Sequence, residues 1–199
     1  MDALSAPISA IRYSRIADIG AMKRIVNRQL TLKPQDLFVA LKLALAGQKP
    51  APYAELAAAL GMSASEVHAS VGRLKSARLA VVGDDGPMVV KAALKEFVLH
   101  GARYAFPATL GATTRGMPTG YAAAPLSAML SQPEELPPVW PDPRGTRRGV
   151  AFYPLYPTAP QAARNDNKLY ECLVLLDALR GGAARERQIA LKLLDERLT

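Results

Sequence analysis

Residues 53–78, YAELAAALGMSASEVHASVGRLKSAR, decide how this chain is arranged. They read as two short helices around a tight turn. In the first, Leu56, Ala59 and Leu60 fall on one face at i, i+3, i+4 spacing. Gly61 then stands where a helix ends in the left-handed conformation that glycine adopts without steric cost. Ser63-Ala64-Ser65-Glu66 is a capping box, with a serine oxygen for a free backbone N–H and a glutamate reaching back to another. Val67, Val71 and Leu74 form the stripe to be buried. Ser65, His68, Ala69, Gly72, Arg73 and Lys75 are left on the other faces.

The next residues extend the pattern. Leu79-Ala80-Val81-Val82 and Met88-Val89-Val90 are two brief apolar runs around Gly83-Asp84-Asp85-Gly86-Pro87, the signature of a hairpin. Helix, glycine turn, capped helix and hairpin together resemble the winged helix-turn-helix transcriptional regulators, MarR-like in the broad sense, over residues 32–106. The resemblance implies a mainly α-helical fold in which the hairpin is the wing. It also implies sequence-specific binding of double-stranded DNA in transcription regulation, with the helix at about 63–77 as the reading element. On that basis Ser65, His68, Ala69 and Arg73 are expected to face bases, and Ser63, Lys75 and Arg78 to touch phosphates. Arg73, one residue before the buried Leu74, is expected to send its guanidinium away from the protein surface. Winged helices also serve as protein-interaction modules, for instance the antitoxin-like partner of an enzyme, and this is the alternative reading.

Charge bears on both readings. The 199 residues carry a formal charge of +8, which favours a polyanionic partner. Residues 1–33 hold six Lys/Arg against two Asp/Glu, whereas residues 34–90 balance at five against five. The excess thus avoids the proposed reading unit, and the wing tip is acidic; both facts favour the alternative. Cys172 is the one cysteine, which rules out an internal disulfide and fits a reducing cytosol. No apolar run reaches membrane-spanning length and no signal-peptide pattern opens the chain, so a cytoplasmic protein is expected.

Residues 1–31 scatter Ile8, Ile11, Ile16, Ile19 and Ile25 among Arg12, Arg15, Lys23, Arg24 and Arg28. They read either as a basic arm on DNA phosphates or as a solvated terminus, and Met22 as an alternative start. Pro34 and Asp36 open a scaffold helix whose stripe is Leu37, Ala40, Leu41, Ala44 and Leu45, closed by Gly47. Residues 91–106 are helical and apolar on more than one side. Residues 107–160 hold eleven of the sixteen prolines, with Tyr121, Trp140, Phe152, Tyr153 and Tyr156. This predicts an irregular segment pinned by its rings, with a short strand at 150–153. Gly111 to Gly116 lack the Lys-Ser/Thr of a phosphate loop; Thr113, Thr114 and Arg115 read as a plain surface loop or, second, an anion or effector pocket. Residues 161–199 predict a helical hairpin, capped by Asp166 or Asn167 and broken at Gly181-Gly182. Its apolar surface, with that of 91–106, suggests a homodimer. A small-molecule or protein effector is a further expected partner. His68 and His100 lack metal-ligand spacing, and Cys172 lies in an apolar run, so neither a metal, a cofactor nor enzyme chemistry is expected.

Overall fold

The computed structural model describes residues 31–47, 51–131 and 134–199. Contacts divide the chain between Thr31 and Leu32. The readings of residues 1–30, as a basic arm and as containing an alternative start, lie outside the described residues.

Helix α1 (Pro34–Leu45) begins as the sequence dictates, with Pro34 in its first turn and the Asp36 carboxylate accepting from the Lys33 N–H at 2.8 Å. Helix α2 (Tyr53–Leu60) ends at Gly61, whose φ of 62° is left-handed. Helix α3 (Ala64–Ser76) starts on the predicted capping box: Ser63 Oγ accepts from the Glu66 N–H, and Glu66 accepts from the Ser63 N–H. Val67, Val71 and Leu74 are buried against α1 and α2. Strands β1 (Ala80–Gly83) and β2 (Gly86–Val89) pair antiparallel around Asp84-Asp85, and the Val90 N–H closes the ribbon on the Leu79 carbonyl.

Helix α4 (Lys91–Glu96) continues through a π-helical turn, Phe97–Gly101, into the short α5 (Ala102–Ala105). Here the structure is more ordered than expected. Residues 107–160 hold two strands that the irregular reading misses, β3 (Leu110–Pro118) and β4 (Pro138–Pro141), and the short strand expected at 150–153 is present as the end of β5 (Arg147–Phe152). β3 pairs antiparallel with both others, and β4 pairs parallel with β5, so the three close on themselves. Such a small closed sheet leaves no room for side chains at its seams. A Cβ at Gly116 would overlap the Trp140 carbonyl, and one at Gly149 the Pro137 carbonyl. The glycines that read as loop material are what lets the strands approach. The fold is therefore mixed α/β, and "mainly α" fits it only loosely.

Helices α6 (Ala159–Asn165), α7 (Asn167–Gly181) and α8 (Ala184–Arg197) complete the chain. Asp166 caps α7, accepting from the Leu169 N–H at 3.0 Å. Cys172 through Leu179 are all buried, as α7 packs on α1, α5, α8 and the turn after β3. Ala190, Leu194 and Leu198 of the last helical segment are buried too. Part of the apolar surface that suggested a homodimer is therefore used inside the chain, while Tyr104 remains 71% exposed and Phe97, Leu99, Ile189 and Leu193 are half-buried. Burial pushes the Cys172 thiol up to about 11, in keeping with a structural residue.

Candidate nucleic-acid interface

Helix α3 presents two unlike sides. Its underside is core. Its outward side carries Ser65, Ala69, Gly72 and Ser76 along the centre, all exposed, and a Cβ built on Gly72 meets nothing within 4 Å. His68 and Lys75 lie on one flank, also exposed. The His68 ring stacks on Tyr53 of α2, with centroids 3.6 Å apart and planes 9° apart, which fixes the imidazole while leaving its edge in solvent. Ser63 is exposed but already committed to the cap: its hydroxyl donates to Glu66 at 2.7 Å. Arg78 is exposed just beyond the helix, with φ of 60°. Arginine in that region costs about 1 kcal/mol that glycine or asparagine would avoid.

Arg73 is the correction. It does not leave the surface. It lies on the opposite flank, where its Nε and Nη2 grip the two oxygens of Asp36 at 2.8 and 2.7 Å, with Nη2 also 3.2 Å from Ser70 Oγ. Asp36 is fully buried and the Arg73 side chain is 11% exposed. Donating these hydrogen bonds to Asp36 raises the guanidinium above its ordinary value. This bidentate pair ties α1 to α3. Arg73, three residues from Ser70 and four from Ala69, stands at the border between the buried and the bare sides, and its long side chain turns toward α1, where the Asp36 carboxylate lies. A base-reading role for Arg73 would require breaking this pair and leaving a buried carboxylate without its counter-charge, held only by the Lys33 N–H.

A second feature was missed by sequence reasoning. The turn between α2 and α3 is clamped from outside by residues ahead of α6. The Tyr156 hydroxyl donates to Glu66 Oε1, and its ring stacks near Phe38 at 6.2 Å. Thr158 Oγ1 donates to the Leu60 carbonyl at 2.6 Å and its methyl group covers Gly61. The Tyr156 bond, then those from Ser63, hold the Glu66 carboxyl down at about 2. Acceptor and donor are ninety positions apart, so no local pattern announces them.

Among the described residues no group of three or more His, Cys, Asp and Glu is placed to hold a metal ion, and no helix is long and apolar enough to cross a membrane. Thr113, Thr114 and Arg115 lie in strand β3 rather than in a loop. A cavity of about 210 Å³ does open elsewhere, between Leu110, Leu136, Val150, Phe152, Tyr121 and Glu186. Burial, above all, raises the Glu186 carboxyl there. Comparisons of the chain with protein-family models, curated proteins and solved structures found no match.

Proposed function

We propose that the chain binds double-stranded DNA as a transcriptional regulator, through a winged helix-turn-helix in which α3 enters the major groove and the β1–β2 hairpin is the wing. The observation that carries this reading is the state of α3. Its underside is locked by the core and by Asp36–Arg73, its first turn by Tyr156, and its outward face is left bare with small side chains that allow close approach. Ser65, Ala69 and the free edge of His68 are the base-facing residues. Lys75 and Arg78 touch phosphates, and the left-handed backbone at Arg78, adopted against its conformational cost, supports that role. Arg73 positions the helix and reads nothing.

Fluorescence anisotropy on a selected duplex tests this. Lys75→Ala should weaken all sequences alike and lower the salt slope by about one, whereas His68→Ala should relax preference at one position. The alternative, a protein-interaction module, is favoured by the exposed Val81 and Val82 and the acidic tip Asp84-Asp85 on the wing. It takes over should no duplex bind at any salt concentration.

A further inference from the structure

The closed sheet carries an electrostatic oddity. In the β3–β5 register Arg115 stands directly opposite Arg148. Directly paired residues of antiparallel strands point to one face with Cβ atoms roughly 5 Å apart, and like charges there are destabilising. Arg115, Arg144, Arg147 and Arg148 are all exposed, and none forms an ion pair with a carboxylate among the described residues. The turn bearing Arg144 is folded onto β3 at this point: the Asp142 N–H donates to the Arg115 carbonyl at 3.2 Å, and Gly145 lies against Gly116. Asp142, the acidic residue of that turn, does not neutralise the cluster. Its carboxylate is taken by Arg164 of α6 and by the Arg144 backbone N–H.

The same ion pair locates the cluster. Arg164 stands near the end of α6, and Thr158, at the start of α6, covers Gly61 in the turn before α3. One short helix, about 10 Å long, therefore separates the arginine turn from the entry to the reading helix. That is within the reach of neighbouring phosphates on one duplex.

We propose that Arg115, Arg148 and Arg144 form a second contact to the DNA backbone, flanking the groove that α3 enters. This rests on the DNA reading above and extends it to a module that has no part in a winged helix. The guanidinium fork suits phosphate, and a phosphate between Arg115 and Arg148 would turn a repulsive pair into a bridged one.

The test compares Arg115→Gln/Arg148→Gln, Arg115→Lys/Arg148→Lys and Lys75→Ala with the wild type, by anisotropy on a fixed duplex over a range of salt. The glutamine pair should lower the salt slope by about two on any sequence, and the lysine pair should keep the slope. The melting temperature of the glutamine pair should hold or rise, since repulsion is removed. Were that pair to unfold, Arg144→Gln and the lysine pair carry the comparison. A wild-type slope in the glutamine pair, while Lys75→Ala lowers it, overturns the second contact and leaves the α3 reading standing. A loss confined to vesicles of phosphatidylserine makes the patch a membrane contact and overturns it equally. Absence of any wild-type DNA binding removes the DNA reading itself.

Discussion

The α1–α3 region with its hairpin and the three-stranded closed sheet are built by opposite means. In the first, each element is specified locally. Pro34 and Asp36 start α1, Gly61 ends α2, Ser63 and Glu66 start α3, and apolar residues at helical spacing meet in the middle. In the second, local signals are nearly silent, and the structure rests on approach and on one buried acid. Asp177 of α7 accepts from Trp140 Nε1 at 2.6 Å, Thr119 Oγ1 at 2.7 Å and Arg180 at 2.7 Å. Arg180 in turn donates to the Phe106 carbonyl at 2.8 Å, and Tyr170 to that of Pro118 at 2.7 Å. Helix α7 thus serves the sheet as a post. Burial pushes the Asp177 carboxyl up, against the pull of Arg180, Thr119 and Trp140. The contrast teaches that a region poor in pattern can still be tightly specified when its partners lie far away in sequence.

Substitutions can break that contrast in order of expected size. Asp177→Ala takes the counter-charge from a buried guanidinium and the acceptor from an indole N–H and a hydroxyl, and should cost about 3–5 kcal/mol in urea unfolding. A loss under 1 kcal/mol would mean that the sheet stands without its post. Asp36→Ala removes the analogous pair from the helical region. Because Arg73 can still reach water, it should cost about 2–3 kcal/mol, with part recovered in Asp36→Ala/Arg73→Leu.

Glycine gives the sharper comparison. Gly116→Ala drives a methyl group into the Trp140 carbonyl and should destabilise by about 1–3 kcal/mol. Gly72→Ala, at an open position within α3, should stabilise by about 0.5–1 kcal/mol. Thermal melts of both test the opposite signs; two equal losses would mean that the two glycines do not differ in what surrounds them. The smallest effect belongs to the clamp between the regions. Glu66 is held from an ordinary value of 4.5 to about 2, so its contribution is full above 4.5 and is lost as pH falls through about 2. Tyr156→Phe removes the largest cause, and carboxyl titration by NMR should then find Glu66 moved up toward its usual range.

The sequence by itself determined what is periodic or short-ranged: the helix starts at Pro34 and Ser63, the stop at Gly61, the Asp84-Asp85 hairpin, and the Asp166 cap with the Gly181-Gly182 break. Caps and turns are settled within four residues, and helical spacing fixes which faces are buried. The flanks of α3 could be read only in part this way, since Arg73 neighbours both the exposed Ala69 and the buried Ser70, and its guanidinium went to Asp36 rather than to solvent. That choice, the closure of β3, β4 and β5, the Tyr156–Glu66 clamp and the acid beneath Trp140 were decided by tertiary structure alone. An aspartate within a leucine-rich run was the one outward sign of the last. The physical reason is that a buried charge or a glycine seam takes its meaning from the group it meets, and those groups lie from 12 to 90 positions away in the chain.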